Sequence, residues 1–263
     1  MNYSLLVTVY NDEDYLPRCF DSILSQSHEP DEIVVVNDNS TDKTADIIDE
    51  YNFKHVFSSE PKHEQRWLNR VKAFKLGLSA LNQNTPLVLK VDADIVMAPD
   101  YASTLIDHFR KDTNLAACSG IANLRQFFTL PRNGAIMYRR STINPDDIRE
   151  VYAWDRWTLL WLLERGYDVH VDETVTYEEL RDSVLTTREA YNSGTVRRQE
   201  RYPLRGVLIQ ALIQKGMKKV AFLNGYLTGR GPERHDPGFI SQYSKKEEAE
   251  RMRYIMKRLG VEQ

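Results

Sequence analysis

Asp92-Ala93-Asp94 closes a short, largely apolar run, Leu87-Val88-Leu89-Lys90-Val91. A buried strand ending in two carboxylates one residue apart brings negative charge to a sheet edge. Hard oxygen ligands there can hold a divalent cation against a phosphate. The same spacing occurs at Asp12-Glu13-Asp14, where an acidic cluster opening a helix is the simpler account. What separates the two copies is the set of elements each one follows.

Those elements alternate. Leu5-Leu6-Val7-Thr8-Val9 reads as a buried strand, and Leu16, Cys19, Phe20, Ile23 and Leu24 follow at helical spacing. Ile33-Val34-Val35-Val36 is a second β-branched run. It leads through Asn37-Asp38-Asn39-Ser40 into a helix carrying Ala45, Ile48 and Tyr51, for which Ser40 is the natural N-cap and Asp42 a first-turn acid. A weaker strand at His55-Val56-Phe57 precedes a helix with the stripe Leu68, Val71, Phe74, Leu78 and Leu81, and the run ending at Asp92 comes next. Strands that alternate with helices and stay apolar throughout predict an α/β fold, with a mostly parallel sheet covered by helices on both faces. Ligands of such sheets bind beyond the carboxyl ends of the strands. Thr8 to Asp12, Asp38, and Asp92 to Asp94 all fall at those ends.

Beyond residue 100 the alternation loosens. Leu105, Ile106 and Phe109 predict a helix, Leu115 to Ala122 and Ala135 to Tyr138 predict strands, and Trp154 to Gly166 predicts an apolar helix ended by glycine. Arg188, Arg197, Arg198, Arg201 and Arg205 interleave with Tyr191 and Tyr202. That segment suits a phosphorylated acceptor or an anionic membrane surface, and more simply a solvated basic face. An amphipathic stretch runs from Leu204 to Ile213. Ser244 and Glu247 form a capping-box pattern opening a last helix with Ala249, Met252, Ile255, Met256 and Leu259 on one side.

Composition narrows the class. A chain of 263 residues with a net charge of -3 and a pI near 6.1 has no bulk attraction to nucleic acid. Its two cysteines, Cys19 and Cys118, sit among apolar neighbours and read as buried thiols of a reducing cytoplasm. The N-terminus lacks the pattern of a signal peptide, and the most apolar stretch, Gly206 to Leu227, is interrupted by Gln210, Gln214, Lys215, Lys218 and Lys219. A cytoplasmic location is expected, with peripheral contact at a membrane left open.

In their order, Thr8-Val9-Tyr10-Asn11-Asp12, Asn37-Asp38-Asn39-Ser40-Thr41-Asp42 and Val91-Asp92-Ala93-Asp94, continued by Trp154-Asp155-Arg156-Trp157, resemble the inverting family 2 glycosyltransferases of the GT-A fold. The resemblance implies a Rossmann-like nucleotide-sugar-binding and catalytic domain over 1–180. A mainly helical extension over 181–263 would pack on it at the acceptor or membrane side. It further implies that Thr8, Tyr10, Asn11 and Asp12 surround the base and ribose, that Asp38 contacts base or ribose, and that Arg70 reaches the base or diphosphate. Asp92 and Ala93 would lie along the nucleotide sugar, Asp94 would hold Mn²⁺ or Mg²⁺, and Asp155 would be the general base.

The donor implied is a nucleoside-diphosphate sugar, a UDP- or GDP-sugar first, and the acceptor is an unidentified glycan, lipid-linked or protein hydroxyl. Val7 stands where the family often has proline, and Trp154 where a glutamate is common, so the base assignment falls on Asp155 alone. No Gln-x-x-Arg-Trp motif occurs, which implies transfer of a single sugar.

Bland readings accompany these. Asp155 also suits an N-terminal dipole partner, and Trp154 and Trp157 suit packing better than sugar stacking. A sugar-nucleotide pyrophosphorylase would need a glycine-rich loop near the N-terminus, and Val7 to Asp14 contains no glycine. An inactive nucleotide-sugar or glycan binding module would need the rim but not Asp155. A dinucleotide-dependent dehydrogenase would need a G-x-G-x-x-G after a strand, and none follows.

Overall fold

Runs of β-branched and aliphatic residues that bury both faces of a strand have to lie in the middle of a covered sheet. Three of them do, β1 (Tyr3–Val9), β2 (Glu32–Asn37) and β4 (Leu87–Asp92), and the more exposed β3 (Lys54–Phe57) joins them at the sheet edge, all four pairing in parallel. The computed structural model describes residues 1–263 apart from 60–61, 123–129, 182–185, 231–234 and 259–263, with the backbone alone at 213, 257 and 258. Leu259, read above as part of the last helical stripe, lies outside the described residues.

The direction then changes. Beyond β4 come the three-residue β5 (Ile95–Met97), β6 (Leu115–Ala122), β7 (Ala135–Arg139) and β8 (Asp168–Glu179). β7 runs antiparallel to β4 and to β6, β8 runs parallel to β6, and β5 closes the edge antiparallel to β8. The result is a mixed eight-stranded sheet in the order β3-β2-β1-β4-β7-β6-β8-β5.

Helices cover both faces. Side chains of α1 (Leu16–Leu24), α2 (Thr44–Glu50) and α4 (Tyr101–Lys111) share one core with Tyr3, Leu5, Val7 and Val9 of β1. The opposite face of β1 presents Leu6 to α3 (Arg66–Ala80) so closely that a Cβ on Gly77 would lie 2.3 Å from Leu6 Cδ1. α5 (Trp154–Glu164) follows β7 and gives way to Gly166 at φ +84°. Trp154 and Trp157 are buried: Trp154 stacks on Phe74 at 4.9 Å and Trp157 on Trp161 at 5.9 Å.

Ser40 does not cap α2, which begins at Thr44. The Asn37 side chain draws the Ser40 amide into a turn at 2.9 Å, and the Ser40 hydroxyl accepts instead from the Asn11 amide at 3.0 Å.

The chain divides into two compact units, Met1–Asp182 and Ser183–Gln263. The second is built from α6 (Thr187–Gln199), α7 (Leu204–Ile213), α8 (Met217–Thr228) and α9 (Pro237–Arg258). A capping box between Thr186 and Glu189 opens α6. α6 and α8 touch backbone to backbone, since a Cβ on Gly225 would fall 2.0 Å from the Tyr191 carbonyl oxygen and one on Gly194 would fall 1.9 Å from that of Phe222.

Two sequence expectations change here. α9 begins at Pro237, so Ser244 is not an N-cap; its hydroxyl donates to the Glu200 carbonyl at 2.7 Å. Of the five arginines read above as a solvated basic face, two are tied to buried acids. Arg197 lies 3.2 Å from Glu200 and 3.5 Å from Glu247, and Arg205 grips Glu248 through two nitrogens at 2.5 and 2.7 Å. Those three glutamates are only 1 to 3% exposed, and buried carboxylates require such partners. No helix among the described residues is long and apolar enough to cross a membrane.

Candidate active site

Register brings the polar clusters of the first unit together. Thr8 pairs with Asp92 across β1 and β4, Val9 pairs with Asn37 across β1 and β2, and the Asp38 amide donates to the Val9 carbonyl at 2.9 Å. The loops after β1 and β2 are then stitched by side chains. Asn11, left-handed at φ 51°, accepts the Thr41 amide at 2.8 Å. Asp42 accepts the Glu13 amide at 3.2 Å, and Thr44 accepts that of Asp12 at 3.2 Å. The rim is therefore held by hydrogen bonds between two loops about thirty residues apart, which suits a site that must be preorganised.

Three cations sit among the rim carboxylates. Lys62 pairs with Asp38 and lies 3.6 Å from the centre of the Tyr10 ring, leaving Tyr10 47% exposed. Lys90, almost wholly buried in β4, reaches Asp92 at 2.5 Å. Arg181 pairs with Asp12 and brings Nε to 3.6 Å from Asp94. Sequence reading passed over all three. Lys90 had a legible signal, because in a strand it lies on the same face as Asp92, two residues on. Lys62 and Arg181 had none, since only tertiary folding brings them to the rim.

Burial raises the Asp94 carboxyl, the neighbouring Asp92 raises it further, and Lys90 and Arg70 oppose the rise. Arg70 is exposed on α3, within electrostatic reach of Asp94. Ala93 is buried between the two acids. Oxygen donors without sulfur or imidazole, in a pocket where positive charge is favoured, fit Mn²⁺ or Mg²⁺.

Asp155 stands in the first turn of α5, just after Ala153, whose φ of 55° and ψ of 44° are left-handed. The buried hydroxyl of Tyr138 on β7 feels both Asp155 and Asp92: burial first, then these two charges, push it up. It has no hydrogen-bond partner among the described residues. Asp155 and Asp92 thus lie within electrostatic reach of the same phenol.

A second group has the chemistry to hold a cation. Donor atoms of His108 on α4 and His170 and Asp172 on β8 all lie within 4.8 Å of one another. Asp172 sits in a bulge of β8, where the six residues Val171 to Thr176 oppose the three of β6 from Ser119 to Ile121. Yet His108 Nε2 and Asp172 are 2.6 Å apart. Two donors on a tetrahedral Zn²⁺ would be about 3.3 Å apart, given bonds of about 2.0 Å. The spacing is that of a charge-assisted hydrogen bond, and the cluster reads as a tie between α4 and β8.

The comparisons with known proteins agree with this architecture. The family model for glycosyl transferase family 2 matches residues 4–166, and the chain belongs to that family. It is 32% identical over 122 residues to a poly-β-1,6-N-acetyl-D-glucosamine synthase of Staphylococcus epidermidis, covering 46% of this chain and 29% of that one. It is 35% identical over 130 residues to the glycosyltransferase GlyA of Streptococcus pneumoniae serotype 4, covering 47% and 17%. The chain therefore spans less than a third of the length of either relative.

Among solved structures, the mannosyltransferase PcManGT of Pyrobaculum calidifontis, in complex with GDP-Man and Mn²⁺, superposes with a TM-score of 0.60 at 17% identity, over 87% of this chain and 70% of that one. TarS 1-349 of S. aureus with UDP-GlcNAc gives 0.55 at 18% identity, over 87% and 73%. These similarities establish the GT-A fold.

Proposed function

We propose that the protein moves one sugar from a nucleoside-diphosphate sugar to an acceptor hydroxyl, with inversion and with dependence on a divalent cation. The observation that carries this reading is the gathering of Asp12, Asp38, Asp92 and Asp94, each with a cationic neighbour, at the carboxyl ends of adjoining strands. In this reading Thr8, Tyr10, Asn11, Asp12 and Asp38 cradle base and ribose, with the exposed Tyr10 ring offered to the donor. Asp94, with Asp92 and Ala93 beside it, would hold Mn²⁺ or Mg²⁺, which when bound offsets the charge of the diphosphate. Arg70 lends positive charge to the same leaving group.

As the acceptor oxygen attacks the anomeric carbon, its proton passes to the Asp155 carboxylate. The bond from that carbon to the diphosphate oxygen breaks, and its electron pair leaves with the nucleoside diphosphate. Only stabilisation greater in the transition state than in the bound donor accelerates this step, which is why fixed carboxylates and cations suit the rim. The unit Met1–Asp182 carries these groups.

The neighbours that bind GDP-Man and UDP-GlcNAc make those two bases the first to test. In a thermal-shift panel of UDP, GDP, dTDP and their sugars, one nucleotide should raise the melting temperature, and more so with Mn²⁺. A ligand at a hundred times its Kd stabilises by about 2.7 kcal/mol. Absence of a shift with every nucleotide, with and without Mn²⁺, overturns the proposal.

A further inference from the structure

α7 is largely apolar, with Arg205 and Gln210 as its polar side chains. Val207 and Ala211 point inward to the core of the helical unit, beside Tyr202 and Phe222. Leu204, Leu208 and Leu212, along the solvent-facing side of the same helix, are 49 to 72% exposed, and Met217, Val220 and Leu227 of α8 are 56 to 70% exposed. Six of the nine large apolar side chains exposed among the described residues therefore fall on these two helices. Exposed apolar surface gathered in this way marks an interaction site.

Charge distinguishes what covers it. The chain as a whole is acidic, at -3, yet from Leu204 to Thr228 it contains no aspartate or glutamate. Arg205 in that stretch is tied to Glu248, and Lys215, Lys218 and Lys219 cluster where α7 passes into α8. A second copy docking through the same face would bring these lysines against their own equivalents, because a two-fold interface is self-complementary. Anionic phosphates above an apolar layer match both the lysines and the leucines.

We infer that the α7–α8 pair docks on the surface of an anionic lipid bilayer, its leucines entering the interface and its lysines meeting the headgroup phosphates. The inference is independent of the proposed reaction, because binding can be read without donor or acceptor.

The test is flotation of the full chain with vesicles of phosphatidylglycerol and phosphatidylcholine, and with phosphatidylcholine alone. The chain should float with the anionic vesicles, and salt should weaken the binding. Leu208→Glu combined with Leu212→Glu should lower it roughly tenfold or more with an unchanged melting curve. Lys218→Glu combined with Lys219→Glu should remove the salt-sensitive part. Wild-type chain that stays with neither vesicle, or variants that bind as well as wild type, overturns the inference. So does a stable dimer in sedimentation that the leucine variants dissolve.

Discussion

Nε of Arg181 lies 3.6 Å from a carboxylate oxygen of Asp94, the residue assigned to the cation. The guanidinium also pairs with Asp12, so one side chain occupies the space between two rim acids. A divalent cation approaching Asp94 meets this positive charge. Arg181→Gln should therefore tighten Mn²⁺ binding severalfold, about 1 kcal/mol for a partly screened pair. A titration of Mn²⁺ measured by calorimetry checks it; weaker binding would mean that Arg181 instead holds Asp94 in place.

Asp94→Asn should act in two directions at once. Burial raises the Asp94 carboxyl, so the folded chain holds the proton more strongly than the unfolded chain does. That contribution is full at low pH and is lost as pH rises through the folded pKa. At neutral pH the neutral amide should thus raise the melting temperature of the metal-free protein. It should also erase the Mn²⁺-dependent part of nucleotide binding. A melting temperature that falls without metal would contradict the assignment.

Asp155→Asn should leave nucleotide affinity close to wild type while transfer falls by roughly a hundredfold or more. Single-turnover kinetics with saturating donor separates the two. Unchanged turnover would return Asp155 to the plain role of a helix-dipole partner.

Asp172→Asn tests the tie between α4 and β8. Burial alone would raise this carboxyl, but hydrogen bonds from Thr174 and His108 outweigh it and hold the group at about 2. The unfolded chain, with an ordinary carboxylate, takes up the proton first, so stability falls as pH drops through that window. The substitution should cost roughly 1–3 kcal/mol at neutral pH and flatten the acid limb of the stability curve. Thermal melts across that range read both effects, and a Zn²⁺-dependent rise in the wild-type melting temperature alone would show a metal role instead.

Gly225→Ala should destabilise the helical unit by roughly 1–3 kcal/mol, because the added methyl would fall 2.0 Å from a backbone oxygen that cannot rotate away. Chemical denaturation of the full chain, followed by a probe in the helical unit, measures it. Wild-type stability would mean that α6 and α8 have room to part.

Much of the rim was legible because its residues follow strands whose apolar runs are local. Thr8, Asp38, Asp92 and Asp94 lie at strand ends that periodicity alone locates. The cations were not, for different reasons. Lys90 was read as part of an apolar strand, although two-residue alternation places it beside Asp92. Lys62 and Arg181 come from far along the chain and have no motif of their own. Ser40 and Ser244 fit the N-terminal capping pattern, yet each found a partner from another element, which a local rule does not see. The glutamate partners of Arg197 and Arg205 were hidden because they lie as many as fifty positions away.

Position 181 also determines where the first unit can safely be cut. A border at 180, as the family resemblance implies, would leave Asp12 and Asp94 without the guanidinium between them, whereas the unit Met1–Asp182 keeps it. An excised fragment one residue too short would thus carry uncompensated repulsion across its own cleft, and its ion affinity would misreport that of the intact chain.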